Sequence, residues 1–223
     1  MNYFSQAIGI VTLLLAGLSH ADIPMVFCED NSESCQTDGA VKLSKQFPQH
    51  FSFADDILVI TSGDKTLKIH LNQPLTYESE DEESITLDRY FPNLNWLVVR
   101  EIYDGGESIG YQIIDLKNQL NTTDVASSPF PSTDNTHFIN YGIDLEAGFS
   151  LNGIVIYKIG QQGEIREVYR HDDSWGVESA EWVNLNKISL ITRDYCNPDE
   201  REDLCEQKFK LENINQAWRL SPQ

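Results

Sequence analysis

Gly106-Glu107-Ser108-Ile109-Gly110 is the stretch that most resembles a catalytic motif. It matches G-x-S-x-G, in which a strand-to-helix turn exposes a serine while backbone N–H groups bind an oxyanion. Ser108 would need a base and an acid, and His137, His171 and Asp172 are the candidates. The flanks argue against it. Ile109 to Leu116 reads as a strand, so Asp104-Gly105-Gly106-Glu107 reads as a hairpin turn. Arg170-His171-Asp172-Asp173 has residue types suited to a metal or to base catalysis. Adjacent strand residues point to opposite faces, and the cluster reads instead as a polar loop. Tyr77 to Ser84, YESEDEES, concentrates carboxylates that could attract calcium. It lacks the glycine and the spaced D-x-D-x-D-G of an EF-hand loop, and a run of like charge reads as solvated. Trp96, Trp175, Trp182 and Trp218 could stack sugars, but one per unit or terminal strand reads as core packing. No Walker loop, dinucleotide fingerprint, H-E-x-x-H or C-x-x-C occurs. The expectation is a non-enzymatic binding protein with no cofactor and no bound metal. The alternatives are a secreted serine hydrolase using Ser108 and a calcium- or carbohydrate-binding module.

The elements that would position these residues repeat. Phe47-Pro48, Phe91-Pro92, Phe130-Pro131 and, more loosely, Trp175-Gly176 recur about every 40–45 residues. Each opens a strand–turn–strand unit. The clear strands are Ile57–Ile60, Leu67–Leu71, Trp96–Tyr103, Ile109–Leu116, His137–Ile143, Gly153–Ile159 and Lys187–Arg193. Asp22 to Gly39 reads as an irregular lead-in, and Asn118 to Ser128 as a polar connector. The predicted fold is all-β and propeller-like, with about four strand–turn–strand units that must share a core.

Residues 1–21 read as a secretory signal: Ile8 to Leu18 is apolar apart from Thr12, and Ser19-His20-Ala21 offers a cleavage site. Residues 22–223 would form one domain in the periplasm or outside the cell, with no membrane insertion. In such a compartment Cys28/Cys35 and Cys196/Cys205 read as two local disulfides. The formal charge is −19, from 35 acidic and 16 basic residues. That balance disfavours nucleic acid and favours a protein partner with a basic surface.

If the strand pairs are equivalent, four turns share one face: Ser62–Lys65, Asp104–Ser108, Asp144–Asn152 and Tyr195–Glu206. That face would carry an acidic rim around an apolar anchor. The candidate partner-binding residues are Asp104, Glu107, Ser108, Asp144, Glu146, Phe149, Ser150 and Leu151.

An exported acidic chain, propeller-like hairpins and a late Cys-x8-Cys loop, YCNPDEREDLCEQKF, together resemble the periplasmic immunity proteins of type VI secretion. The kind resembled is the propeller-like type that neutralises amidase effectors. The resemblance implies an inhibitor that plugs the active site of a cell-wall hydrolase with a loop. Here that loop would be Asp144–Asn152 or the Asp104–Ser108 turn.

Overall fold

The computed structural model describes residues 24–27, 33–71, 84–103, 108–145, 148, 150–172, 175–196 and 203–223. The fold is all-β and propeller-like, with one helix among the described residues. Four antiparallel meander sheets stack face to face. The first holds β2 (Phe51–Ala54), β3 (Ile57–Ser62) and β4 (Lys65–His70). The second runs β5 (Ser84–Phe91), β6 (Trp96–Tyr103), β7 (Ser108–Asp115) and β8 (Asn121–Val125), with β1 (Met25–Val26) beside β5. The third contains β9 (Phe130–Pro131), β10 (His137–Gly142), β11 (Gly153–Ile159) and β12 (Ile165–Asp172). In the fourth are β13 (Gly176–Asn184), β14 (Lys187–Tyr195), β15 (Leu204–Ile214) and β16 (Ala217–Pro222).

Side-chain alternation decides which sheets lie inside the stack. A sheet covered on both faces needs apolar residues at consecutive positions, whereas a half-covered sheet alternates. In β6, Leu97 and Val99 pack toward the first sheet, while Trp96 and Val98 pack toward the third. In β11, Val155 and Tyr157 face the second sheet, and Ile154 and Ile156 face the fourth. The outer sheets alternate instead. In β14, Ile188, Leu190 and Thr192 are buried, and each is followed by a less buried residue. Three core clusters result, one at each junction between neighbouring sheets.

The two ends of the stack are polar. On the fourth sheet, Arg193 bridges Glu178 at 2.9 Å and Glu206 at 3.5 Å. Lys187 and Lys210 meet Glu212 at 3.6 and 3.2 Å. On the first sheet, Ser52, Val59 and Lys68 are cross-strand neighbours on the outward face, and Ser52 and Lys68 are exposed. Terminal repeats with polar outer faces cap a stack. Among the described residues no core cluster joins the first sheet to the fourth, so the four sheets form an open stack.

Several segments differ from their sequence reading. The lead-in contains α1 (Glu33–Gln46). Its buried face is Gln36, Gly39, Ala40 and Leu43, a helical spacing in which only two residues are strongly apolar. Gln36 caps the edge of β5: its Nε2 donates to Leu87 O at 3.3 Å, and Leu87 N donates to its Oε1 at 2.6 Å. The polar connector Asn118–Ser128 contains β8, an outer strand with few buried residues. The Arg170–Asp172 stretch is strand, not loop, and completes β12. Arg170 lies 2.8 Å from Glu167 and 3.6 Å from Asp172, while His171 packs on the Trp175 ring at 4.3 Å.

The proposed common face is also corrected. Ser62 donates its hydroxyl to Leu116 O. Leu116 follows β7, so the Ser62–Lys65 turn sits at the end of the stack that holds the β7–β8 turn. The β6–β7 turn is at the other end of β7. Among the described residues the first sheet therefore lacks an equivalent of the other sheets' first strand, and its turns are offset by one. The β6–β7, β10–β11 and β14–β15 connections are the corresponding turns of successive sheets.

Cys196 and Cys205 are bonded, with Cα atoms 4.9 Å apart, and close the β14–β15 connection. Cys35 is also disulfide-bonded; its expected partner, Cys28, lies outside the described residues. Among the described residues no helix is long and apolar enough to cross a membrane.

Candidate functional site

A cleft of about 530 Å³ opens where the inner strands of the second, third and fourth sheets end. Its walls are Phe91 and Pro92 from the end of β5, Phe130 and Pro131 from β9, and Ala180 and Trp182 from β13. Pro24 and Pro129 extend them. Two of the Phe-Pro pairs that mark the sequence repeat thus meet across one space. The repeat places a Phe-Pro where an inner strand turns, and stacking brings equivalent turns together.

The walls are held by hydrogen bonds and ring contacts behind them. Trp182 Nε1 donates to Phe130 O at 3.0 Å. Tyr141 stacks on Phe130 with centroids 4.9 Å apart, and the backbone of Ala180 hydrogen-bonds its hydroxyl. Burial raises the Tyr141 pKa, a shift that the Ala180 bond and Arg89 oppose. Both polar handles therefore point into the protein, and the cleft is offered aromatic faces.

Arg89 and Glu181 bring charge to the cleft. The Arg89 guanidinium lies 5.0 Å from the Phe130 ring centroid, and its Nε is 3.0 Å from Asp88 Oδ2. Adjacent strand residues ordinarily point apart. Here Leu87 pairs with Val99 and Arg89 with Val98, so Asp88 is the extra residue of a β-bulge. A bulge re-aims the side chains around it, and this one lets Asp88 meet Arg89. Asp88 is 8% exposed and also accepts a hydrogen bond from the Ser128 hydroxyl. Through Asp88 the pair holds Ser128 in the connector to β9, and through Arg89 it reaches the Phe130 ring of β9 at the cleft wall.

The rim is polar. Asn93, Thr133 and Asn135 contribute to it. Asp134 shapes the turn: Ser132 Oγ donates to it at 2.7 Å, and Thr136 N at 3.1 Å. Burial pushes the Asp134 pKa up, but the bonds from Ser132 and Thr136 prevail and hold it below the ordinary value. His137 follows, its ring 6.4 Å from that of Trp182. Burial lowers the His137 pKa, the Asp134 carboxylate opposes this, and Lys158 reinforces it. A His with a depressed folded pKa contributes stability that is complete above its unfolded value of 6.5. That contribution falls as pH drops through 6.5 toward the lower folded pKa, because the unfolded chain binds the proton first. Nuclear magnetic resonance titration is expected to place His137 below 6.5. Denaturation curves at pH 8 and 5.5 should show a smaller pH difference in His137→Gln. An unchanged difference would assign the pH dependence elsewhere.

Of the sequence-derived binding residues, the four that are described, Ser108, Asp144, Ser150 and Leu151, lie at the opposite end of the stack. Asp104, Glu107, Glu146 and Phe149 fall outside the described residues. Ser108 opens β7 opposite Tyr103, so the Ser108-Ile109-Gly110 part of the motif runs as an antiparallel strand. Asp144 organises its own loop: Gly148 N and Ser150 N donate to its carboxylate at 3.0 and 2.7 Å. Ser150 is exposed. Leu151, read from sequence as part of an apolar anchor, is 6% exposed and belongs to the core between the second and third sheets. It folds back into a core cluster that also contains Val125, Phe138 and Val155. The tryptophans divide. Trp96 and Trp218 are buried, Trp175 stacks on Phe209, and Trp182 reaches the cleft. Among the described residues no group of three or more His, Cys, Asp or Glu is placed to hold a metal ion.

The cleft was missed in the sequence because its residues are spread from Pro24 to Trp182. The available signal was the recurrence of Phe-Pro itself, which reads as a fold mark until the sheets are stacked.

No protein-family model matches the sequence, and no curated protein matches it. Among solved structures, the crystal structure of the N-terminal domain of Nup159 matches with a TM-score of 0.35 and 8% identity. The match covers 78% of this chain and 47% of that one, so this chain spans about half of its length.

Proposed function

We propose that this chain is an exported, non-enzymatic binding protein that grips a protein partner at the cleft between its inner strands. The observation that carries this reading is the convergence of Phe91-Pro92, Phe130-Pro131 and Trp182 on one space with a polar rim. Protein interfaces have that anatomy: an apolar centre that takes an anchoring side chain, surrounded by groups that keep contact with water. The charge of −19 adds steering toward a basic partner. In its specific form the function is that of an immunity protein, and the partner is a periplasmic cell-wall hydrolase whose active site the complex covers. The engagement of Asp144 within its own loop and the burial of Leu151 favour the cleft over the Asp144–Asn152 loop as the gripping surface.

Pull-down with the tagged mature chain tests the reading. Leu94→Glu and Glu181→Lys alter residues that line the cleft, whereas Ser150→Arg alters the opposite end. Both cleft variants are expected to weaken retention of the partner at least tenfold, about 1.4 kcal/mol, with Ser150→Arg close to the parent. The reverse pattern would return the interaction to the loop end.

A further inference from the structure

Resting on the cleft as the binding site, we propose that its ligand is a proline-rich segment in the polyproline II conformation, carrying a basic residue. The first argument is about what the walls cannot do. An extended peptide usually adds to a sheet by pairing with a free strand edge. Here β1 pairs with β5 through Met25↔Tyr90 and Val26↔Arg89. Phe27 N donates to Asp88 O, and Gln36 bonds the backbone of Leu87 in both directions. The β5 edge is therefore already covered. On the next wall Pro129 and Pro131 have no N–H to donate, so the β9 side offers a poor ladder. A ligand that needs no ladder fits these walls better than a strand.

The second argument is about what the walls offer. Phe130 and Trp182 present ring surface beside the proline rings, and the Trp182 N–H is engaged with Phe130 O. Polyproline II ligands dock on aromatic-lined grooves, and their rigid backbone loses little entropy on binding. Their carbonyls have no internal partner. The amides of Asn93 and Asn135 on the rim are donors of the right kind.

Charge supplies the third argument. The Arg89 guanidinium faces Asp88 at 3.0 Å, which leaves exposed Glu181 to set the sign of the cleft. A Lys or Arg beside the prolines complements Glu181 and the charge of −19.

The test uses the full mature chain and a synthetic peptide of repeated Pro-Pro-Arg, followed by calorimetry. Saturable one-to-one binding is expected, weakened at least tenfold by Leu94→Glu and by Glu181→Lys, with circular dichroism confirming that both variants fold. An Ala-Ala-Arg peptide of equal charge should bind at least tenfold more weakly. No binding of the Pro-Pro-Arg peptide, or equal binding of the alanine peptide, overturns the proposal. Competition separates it from the reading beneath it. A partner lost in both cleft variants but not displaced by the peptide leaves the cleft as the binding site and rejects the proline-rich ligand. A partner indifferent to the variants and the peptide alike rejects both.

Discussion

Asp88→Ala is expected to destabilise the fold by about 3–5 kcal/mol, as a buried charge pair does when one partner is removed. Arg89 would keep its charge at the cleft wall with a side chain only 18% exposed. The Ser128 hydroxyl would lose its acceptor at the same time. The unfolded chain avoids both costs, since water solvates Arg89 and Ser128 there. Urea denaturation measures the loss. A cycle with Arg89→Met isolates its cause: the double variant should recover part of the stability, because a buried apolar pair can replace a buried ion pair. A loss under 1 kcal/mol for Asp88→Ala would show that Arg89 reaches water readily and that the bulge is not held by charge.

Gly153→Ala is expected to cost roughly 3–5 kcal/mol, through backbone strain together with overpacking. Gly153 has φ +149°, and a Cβ there would lie 2.0 Å from the carbonyl oxygen of His171. That oxygen belongs to β12, which pairs with β11 through Gly153↔Asp172 and Ile154↔His171. It cannot retreat without opening the end of the ladder. Gly148, in the same loop, makes the comparison. Its φ is +69°, but nothing lies within 4 Å of a Cβ built there. Gly148→Ala should therefore cost only the left-handed conformation, about 1–2 kcal/mol. Equal losses at the two positions would remove the close approach as the cause.

The open stack bears on how the cleft is made. Closing a ring of sheets would need apolar surface on the outer faces of the first and fourth sheets. The fourth instead carries Arg193, Lys187 and Lys210 bridged to glutamates. Inner strand ends of three neighbouring sheets suffice to build the cleft, and the first sheet supports it from behind through the packing of Phe51 against Tyr90 at 5.3 Å.

Much of the fold was legible because period and run length report burial directly. Trp96 to Val99 is a continuous apolar run, and β6 lies in a sheet covered on both faces. Lys187 to Arg193 alternates, and β14 lies in an end sheet. The helix escaped notice because Gln36 and Gly39 occupy half of its buried face. They serve an edge hydrogen bond and the close contact with the Phe27 ring, not general hydrophobicity. The strand β8 was hidden by the exposed polar residues that an outer edge tolerates.

Ser108 and Leu151 mark the limits at the site. Ser108 to Gly110 could be recognised as strand from local pattern alone, since the strand they open is itself local. Leu151 could not be placed, because it joins a core cluster whose members come from two sheets and reach back to Phe91 and Trp96 in sequence. Local pattern determined the clear strands, such as Trp96–Tyr103 and Gly153–Ile159, and the turn chemistry between them, because each depends on residues close together in sequence. The tertiary structure decided the offset of the first sheet, the bulge that joins Asp88 to Arg89, and the cleft between the Phe-Pro pairs. Those depend on how one sheet face registers on the next, and residues some 40 positions apart encode that register only jointly.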